Sequence, residues 1–235
     1  MILSAMSAAA QSPIDPPKKN ERPNGSNGSN GKASQEPPSG VAFSYFYRFE
    51  RPGFLYSPVT IEHDENGIGK ITFGRELNGD EITEPIRLSP ATLAGLKRIF
   101  AELSFLDSTE EYQYEKDYSH LGNVEIRYSS SGRSRTVKYN WTENKGARSL
   151  MDEYRRIGNE YIWKFEFGVA SENQRLETPR MMEAFESFLR RAELSDPPHL
   201  VPLLNAIVND ERLPLITRNH ASRLIKMIER TVSPR

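Results

Sequence analysis

Three features of the sequence predict an α+β domain: an antiparallel sheet of about five to six strands with helices on one face, then a small all-helical C-terminal region. Apolar residues alternate at a period of two in several short runs between residues 41 and 139. Turn signals join most of these runs in pairs. From about residue 144 the spacing changes to the three-and-four repeat of helices, and after Gly168 every segment reads as helix.

The elements follow in order. Val41, Phe43, Tyr45, Tyr47 and Phe49 alternate with Ala42, Ser44, Phe46 and Arg48, and Pro52-Gly53 ends the run. Val59, Ile61 and His63 lead into the turn Asp64-Glu65-Asn66-Gly67, and Ile68 to Phe73 forms the partner strand. A third strand is expected over Glu84 to Leu88. Ser89 is then a good N-cap, Pro90 suits the first helical position, and Leu88 is placed to staple against Leu93. Leu93, Leu96, Ile99, Phe100 and Leu103 share one helical face. After an acidic connection from Asp107 to Asp117, Val124, Ile126 and Tyr128 pair through Ser129-Ser130-Ser131-Gly132 with Val137 and Tyr139. Ala147, Leu150, Met151, Tyr154 and Ile157 predict a helix from about Asn144 to at least Ile157. The last helices are expected to start at Thr178-Pro179, Asp196-Pro197 and Pro214.

Composition bounds the function. The chain has 235 residues, with 31 Lys and Arg against 32 Asp and Glu, so no global field selects nucleic acid or an acidic membrane surface. The absence of cysteine excludes thiol catalysis, disulfides and thiolate metal sites. No apolar run approaches the ~18–20 residues that span a bilayer. Residues 1–10 are small and apolar, and Ala8-Ala9-Ala10 resembles a signal cleavage site, although no basic residue precedes Lys18. They are read as the remnant of an export signal whose start lies upstream. Residues 11–40, rich in Pro, Gly, Asn and Ser, read as a disordered tether. Residues 41–168 form the predicted α+β domain and 169–235 a helical cap. Sequons at Asn24, Asn27 and Asn140 are expected from composition alone.

The order of strands, Ser-led helix, following Asp and basic second hairpin resembles a group of uncharacterised bacterial α+β domains often found in exported proteins. The resemblance covers roughly residues 59–157. It implies this fold and a bacterial, periplasmic or secreted setting (a cytoplasmic one being the alternative), and transfers no activity. Pro202 to Arg230 is similar to one HEAT-type helical pair, with Asn209-Asp210-Glu211-Arg212 as its turn. A single pair cannot form a solenoid, so a helical cap is expected.

Candidate chemistry is sparse. Asp117 and His120, three residues apart among Glu110, Glu111 and Glu115, form the densest group of acid–base residues, on a connection entering a strand. Only these two have local spacing suited to a metal, so no metal site or cofactor is expected. His63, His199 and His220 stand alone in sequence. The basic residues Arg127, Arg133, Arg135, Lys138, Lys145, Arg148, Arg155 and Arg156 cluster with Tyr128, Tyr139 and Trp141, a pattern that suits nucleic acid, but Glu125, Glu143, Asp152 and Glu153 dilute it. Arg133, Arg135, Lys138 and Trp141 are the candidate binding residues. No G-x-S-x-G, H-E-x-x-H or phosphate-loop motif occurs. The chain therefore reads as a non-catalytic binding or interaction domain, monomeric, taking a protein or small ligand on its aromatic sheet face or its terminal helices. The alternatives are a hydrolase built on Asp117 and His120, and a nucleic-acid binder using residues 127–156.

Overall fold

Alternation of Tyr45 and Tyr47 with Phe46 and Arg48 places two phenol rings on one face of the central strand, and the sheet grows outward from it. The computed structural model describes residues 43–75 and 79–232. The export-signal remnant, the tether, the sequons at Asn24 and Asn27, and Val41 and Ala42 of the first predicted run lie outside the described residues.

Six strands, β1 (Tyr45–Glu50), β2 (Tyr56–His63), β3 (Ile68–Arg75), β4 (Glu81–Arg87), β5 (Asn123–Ser130) and β6 (Arg133–Tyr139), form one antiparallel sheet in the order β4-β3-β2-β1-β5-β6. Tyr47 sits opposite Ile61 on one side and Ile126 on the other. The β2–β3 turn closes as its sequence predicts. Asp64 Oδ1 accepts from the backbone N–H groups of Asn66 and Ile68, both at 2.8 Å, and Gly67 takes the positive φ of 75°.

Helix α1 (Pro90–Glu102) crosses between β4 and β5 and is capped by Ser89, whose hydroxyl accepts from the Thr92 N–H at 3.1 Å. Leu96 and Phe100 are its buried anchors; Leu93 is only half-buried. Helix α2 (Lys145–Asn173) starts at an Asn144 cap and runs on well past Ile157. Its 29 residues span about 43 Å at the α-helical rise. No proline interrupts the run, and Gly158 packs inward. The same helix serves two cores. Leu150, Tyr154 and Ile157 join the sheet and α1, while Trp163 and Phe167 join the following helices.

Those helices are α3 (Thr178–Arg190), α4 (Val201–Asn209) and α5 (Leu215–Val232). The segment expected to form a single helix from Asp196-Pro197 is split: Pro197–Leu200 is a 3-10 turn and α4 begins at Val201. Prolines 197, 198 and 202 lack the N–H groups a continuous ladder needs, and Pro202 is tolerated in the first turn. Buried hydroxyls of Thr178 and Thr217, 2.8 Å apart, tie the start of α3 to α5. Among the described residues no helix is long and apolar enough to cross a membrane.

The outer face of the sheet is polar, with Lys70 paired to Glu62 at 3.1 Å and Lys138 to Glu125 at 3.0 Å.

Candidate functional site

Asp117 and His120 are both exposed. Asp117 Oδ1 accepts from the Ser119 N–H at 2.8 Å and from the Asn140 side-chain amide at 2.7 Å, which makes it a turn-closing carboxylate. His120 lies in the 3-10 turn Ser119–Leu121, with its ring edge-on to Tyr118 at 6.1 Å. No hydrogen bond joins the pair among the described residues, and no group of three or more His, Asp or Glu there is arranged to hold a metal ion. Asn140 is equally committed. Its carbonyl oxygen accepts from Gln113 and from the Tyr118 N–H.

The basic hairpin is dispersed in space. Arg133 bonds Asp107 at 2.5 Å. Arg135 donates to the carbonyls of Phe105 (2.8 Å) and Glu110 (2.5 Å) and lies over the rings of Phe105 and Tyr112. It thereby pins the 105–112 connection against the sheet edge. Lys138 faces Glu125 on the outer face. Arg127 stacks on Phe46 at 4.4 Å, and Arg156 is held by Glu153 and by the Ala192 carbonyl. Trp141, with Arg148 stacked 4.9 Å above its ring, is half-exposed and turns toward the helix side.

Two histidines that looked isolated in sequence acquire partners. His63 is fully buried, stacked on Tyr45 at 4.6 Å, and burial pushes its imidazole pKa down. His220 on α5 lies 2.7 Å from Glu186 on α3. Arg190 also bonds Glu186, and with His220 and Arg223 it holds that carboxyl at about 2, although partial burial pulls the other way. Neither arrangement places a nucleophile against a base and an oxyanion donor.

The concavity with the most apolar lining lies elsewhere, between α2 and the ends of β1, β2, β5 and β6. It is a groove of ≈ 550 Å³. Tyr47 and Tyr154, stacked at 4.9 Å, form its floor with Val59. Met151, Tyr154, Gly158 and Ile162 recur along α2 at three-to-four-residue spacing and, with Trp163, make one wall. The opposite wall is the loop after β1. Gly53 turns it at φ 83°, the Arg51 N–H bonds Ser57 Oγ at 2.8 Å, and Arg51 stacks over Phe54 at 4.0 Å. Gly122 (φ 99°) closes one end, where an added Cβ would stand 2.5 Å from the Phe49 ring. Phe54, Leu55, Leu121 and Trp141, four of the nine exposed large apolar side chains among the described residues, all line this groove. An apolar surface gathered in a concavity is a ligand-site signature, whereas scattered exposed apolar residues are ordinary.

Polar groups in the groove are few. Arg51 and Arg155 line it, and Tyr56 donates its hydroxyl to Glu166. Burial pushes the Tyr47 phenol pKa up, while the Arg155 charge pulls it down, which locates that charge near the floor.

Of the candidate binding residues, Trp141 alone belongs to this groove. Phe54, Leu55, Leu121, Gly158 and Ile162 escaped the sequence reading. Two signals pointed to them: an apolar Phe-Leu pair placed directly after a Pro-Gly turn, and a glycine in the middle of a long helical pattern. No protein-family model matches the chain, and comparison with curated proteins finds no match.

Proposed function

We propose that this protein is a non-catalytic binding domain whose ligand site is the groove between α2 and the loop that follows β1. The observation that carries the reading is the convergence of Phe54, Leu55, Leu121 and Trp141 on one concavity floored by buried tyrosines. A volume of ≈ 550 Å³ lies in the range of small-molecule sites. The resemblance of residues 59–157 to bacterial exported α+β domains and the Ala8-Ala9-Ala10 leader favour a periplasmic or secreted setting. A mature native protein beginning near Gln11 would support that setting, and one retaining Met1 would count against it.

The groove is tested with Gly158→Leu, which directs a side chain into it. An added Cβ at Gly158 finds only Val59 Cγ1, at 3.8 Å. Small apolar compounds that raise the melting temperature of the wild-type chain should lose that effect on the variant. Equal shifts for both proteins would defeat the groove as the ligand site. The hydrolase reading gains nothing from the separation of the His120 ring from the bonds made by Asp117, and the nucleic-acid reading gains nothing from basic residues individually engaged on different faces.

A further inference from the structure

We infer that the ligand of this groove is a small apolar carboxylate, its hydrocarbon or aromatic body on the apolar trough and its carboxylate on one of the two guanidiniums that line it, Arg155 or Arg51; this rests on the groove being the binding site. The charge inventory carries the inference. Two guanidiniums line the groove. Arg51 makes no ion pair among the described residues; its charge is spread over the Phe54 ring. Arg155 reaches only Asp152, at 3.8 Å, the long limit of an ion pair. Arg155 acts on the ionisation of the Tyr47 phenol, and Asp152 acts on it with the opposite sign. Among the described residues the one carboxylate on the groove, Glu166, comes three helical turns further along α2 and is engaged by Tyr56.

Among the described residues the lining therefore carries two guanidiniums against one carboxylate, and that carboxylate is already bonded. A carboxylate beside either guanidinium gains charge-assisted, bidentate hydrogen bonds, whereas an ammonium there meets a like charge. The planar guanidinium of Arg51, already stacked on Phe54, is preorganised for such a contact. The cavity size argues for a free small molecule over a protein segment.

Both tryptophans of the chain, Trp141 and Trp163, line the groove, so intrinsic emission reports its occupancy. The full chain is titrated with 4-phenylbutyrate, 4-phenylbutanamide and 4-phenylbutylamine. The acid is expected to bind tightest. One of Arg155→Gln and Arg51→Gln is expected to weaken it about tenfold while leaving the amide unchanged, the loss of one charge-assisted contact. Raised salt should weaken the acid alone. Equal or tighter binding of the amide or amine, or acid binding indifferent to both substitutions, would overturn the carboxylate assignment and leave the groove reading standing. Failure of all three compounds to alter emission would defeat both.

Discussion

His63 Nε2 lies 3.1 Å from the Tyr154 hydroxyl inside the core, and its Nδ1 lies 2.9 Å from the Asp64 carbonyl oxygen. A carbonyl can only accept, so Nδ1 carries the proton and Nε2 accepts from the Tyr154 O–H. The pair bridges β2 and α2 directly beside the groove floor, and burial there disfavours the charged imidazolium.

Stability should therefore fall in mild acid. Burial lowers the folded-state pKa of His63 below the ordinary 6.5, opposed by Asp64 and Glu65 and reinforced by Lys97. The unfolded chain then takes up a proton more readily than the folded one once pH drops below that value. Urea unfolding at about pH 7.5 and about pH 5 is expected to show lower stability at the acid end. The double variant His63→Phe, Tyr154→Phe removes the titrating group and its partner together, and its pH dependence should be flatter. An unchanged pH profile in that variant would show that His63 is not the source.

The carboxyl of Glu186 is held down to about 2 by Arg190, His220 and Arg223. A depressed carboxyl contributes stability that is complete above its ordinary value of 4.5 and is lost as pH falls toward 2. Glu186→Gln is expected to cost about 1 kcal/mol at neutral pH, in keeping with a solvent-screened network. The gap from wild type should narrow as pH falls through this window. Thermal unfolding across the acid range measures it, and a gap independent of pH would contradict the assignment.

Arg135 and Lys138 separate a structural cation from a surface one. Arg135 ties two backbone carbonyls of the 105–112 connection, one of them on buried Phe105, so Arg135→Ala removes both bonds and is expected to cost about 1–3 kcal/mol. Lys138→Ala removes only an exposed pair with Glu125 and should stay within about 0.5 kcal/mol. Hydrogen exchange of the Phe105 to Tyr112 amides should accelerate in the first variant and not in the second. Similar behaviour in both would show that the connection is held by other contacts.

Gly158 in the middle of α2 weakens the helix where the groove needs space. Its missing Cβ would meet nothing closer than Val59 Cγ1 at 3.8 Å. Gly158→Ala should raise stability by roughly 0.5–1 kcal/mol through helix propensity. The same change should reduce groove binding, since the new methyl enters the trough. Denaturant unfolding together with tryptophan titration tests both halves. A variant that is no more stable would mean that the glycine answers a backbone constraint.

Local chemistry made much of the fold readable. The Asp64-to-Gly67 turn, the Ser89 cap and the alternation of Tyr45 and Tyr47 each rest on bonds or faces set within a few residues, and each is found in place. The single helix expected from Asp196-Pro197 failed because three prolines so close together remove the donors a continuous ladder uses, which apolar spacing does not register.

What the sequence determined by itself was periodicity: which residues face inward, where turns fall, and that α+β layering follows. What only the tertiary structure decided was which distant faces meet. Sheet order brings the loop after β1, the turn before β5 and the middle of α2 to one place, and pairs His63 with Tyr154 across 91 residues. Hydrophobic burial drives each face inward without direction, so a local pattern states that a side chain is buried and leaves its partner to the packing of the whole chain.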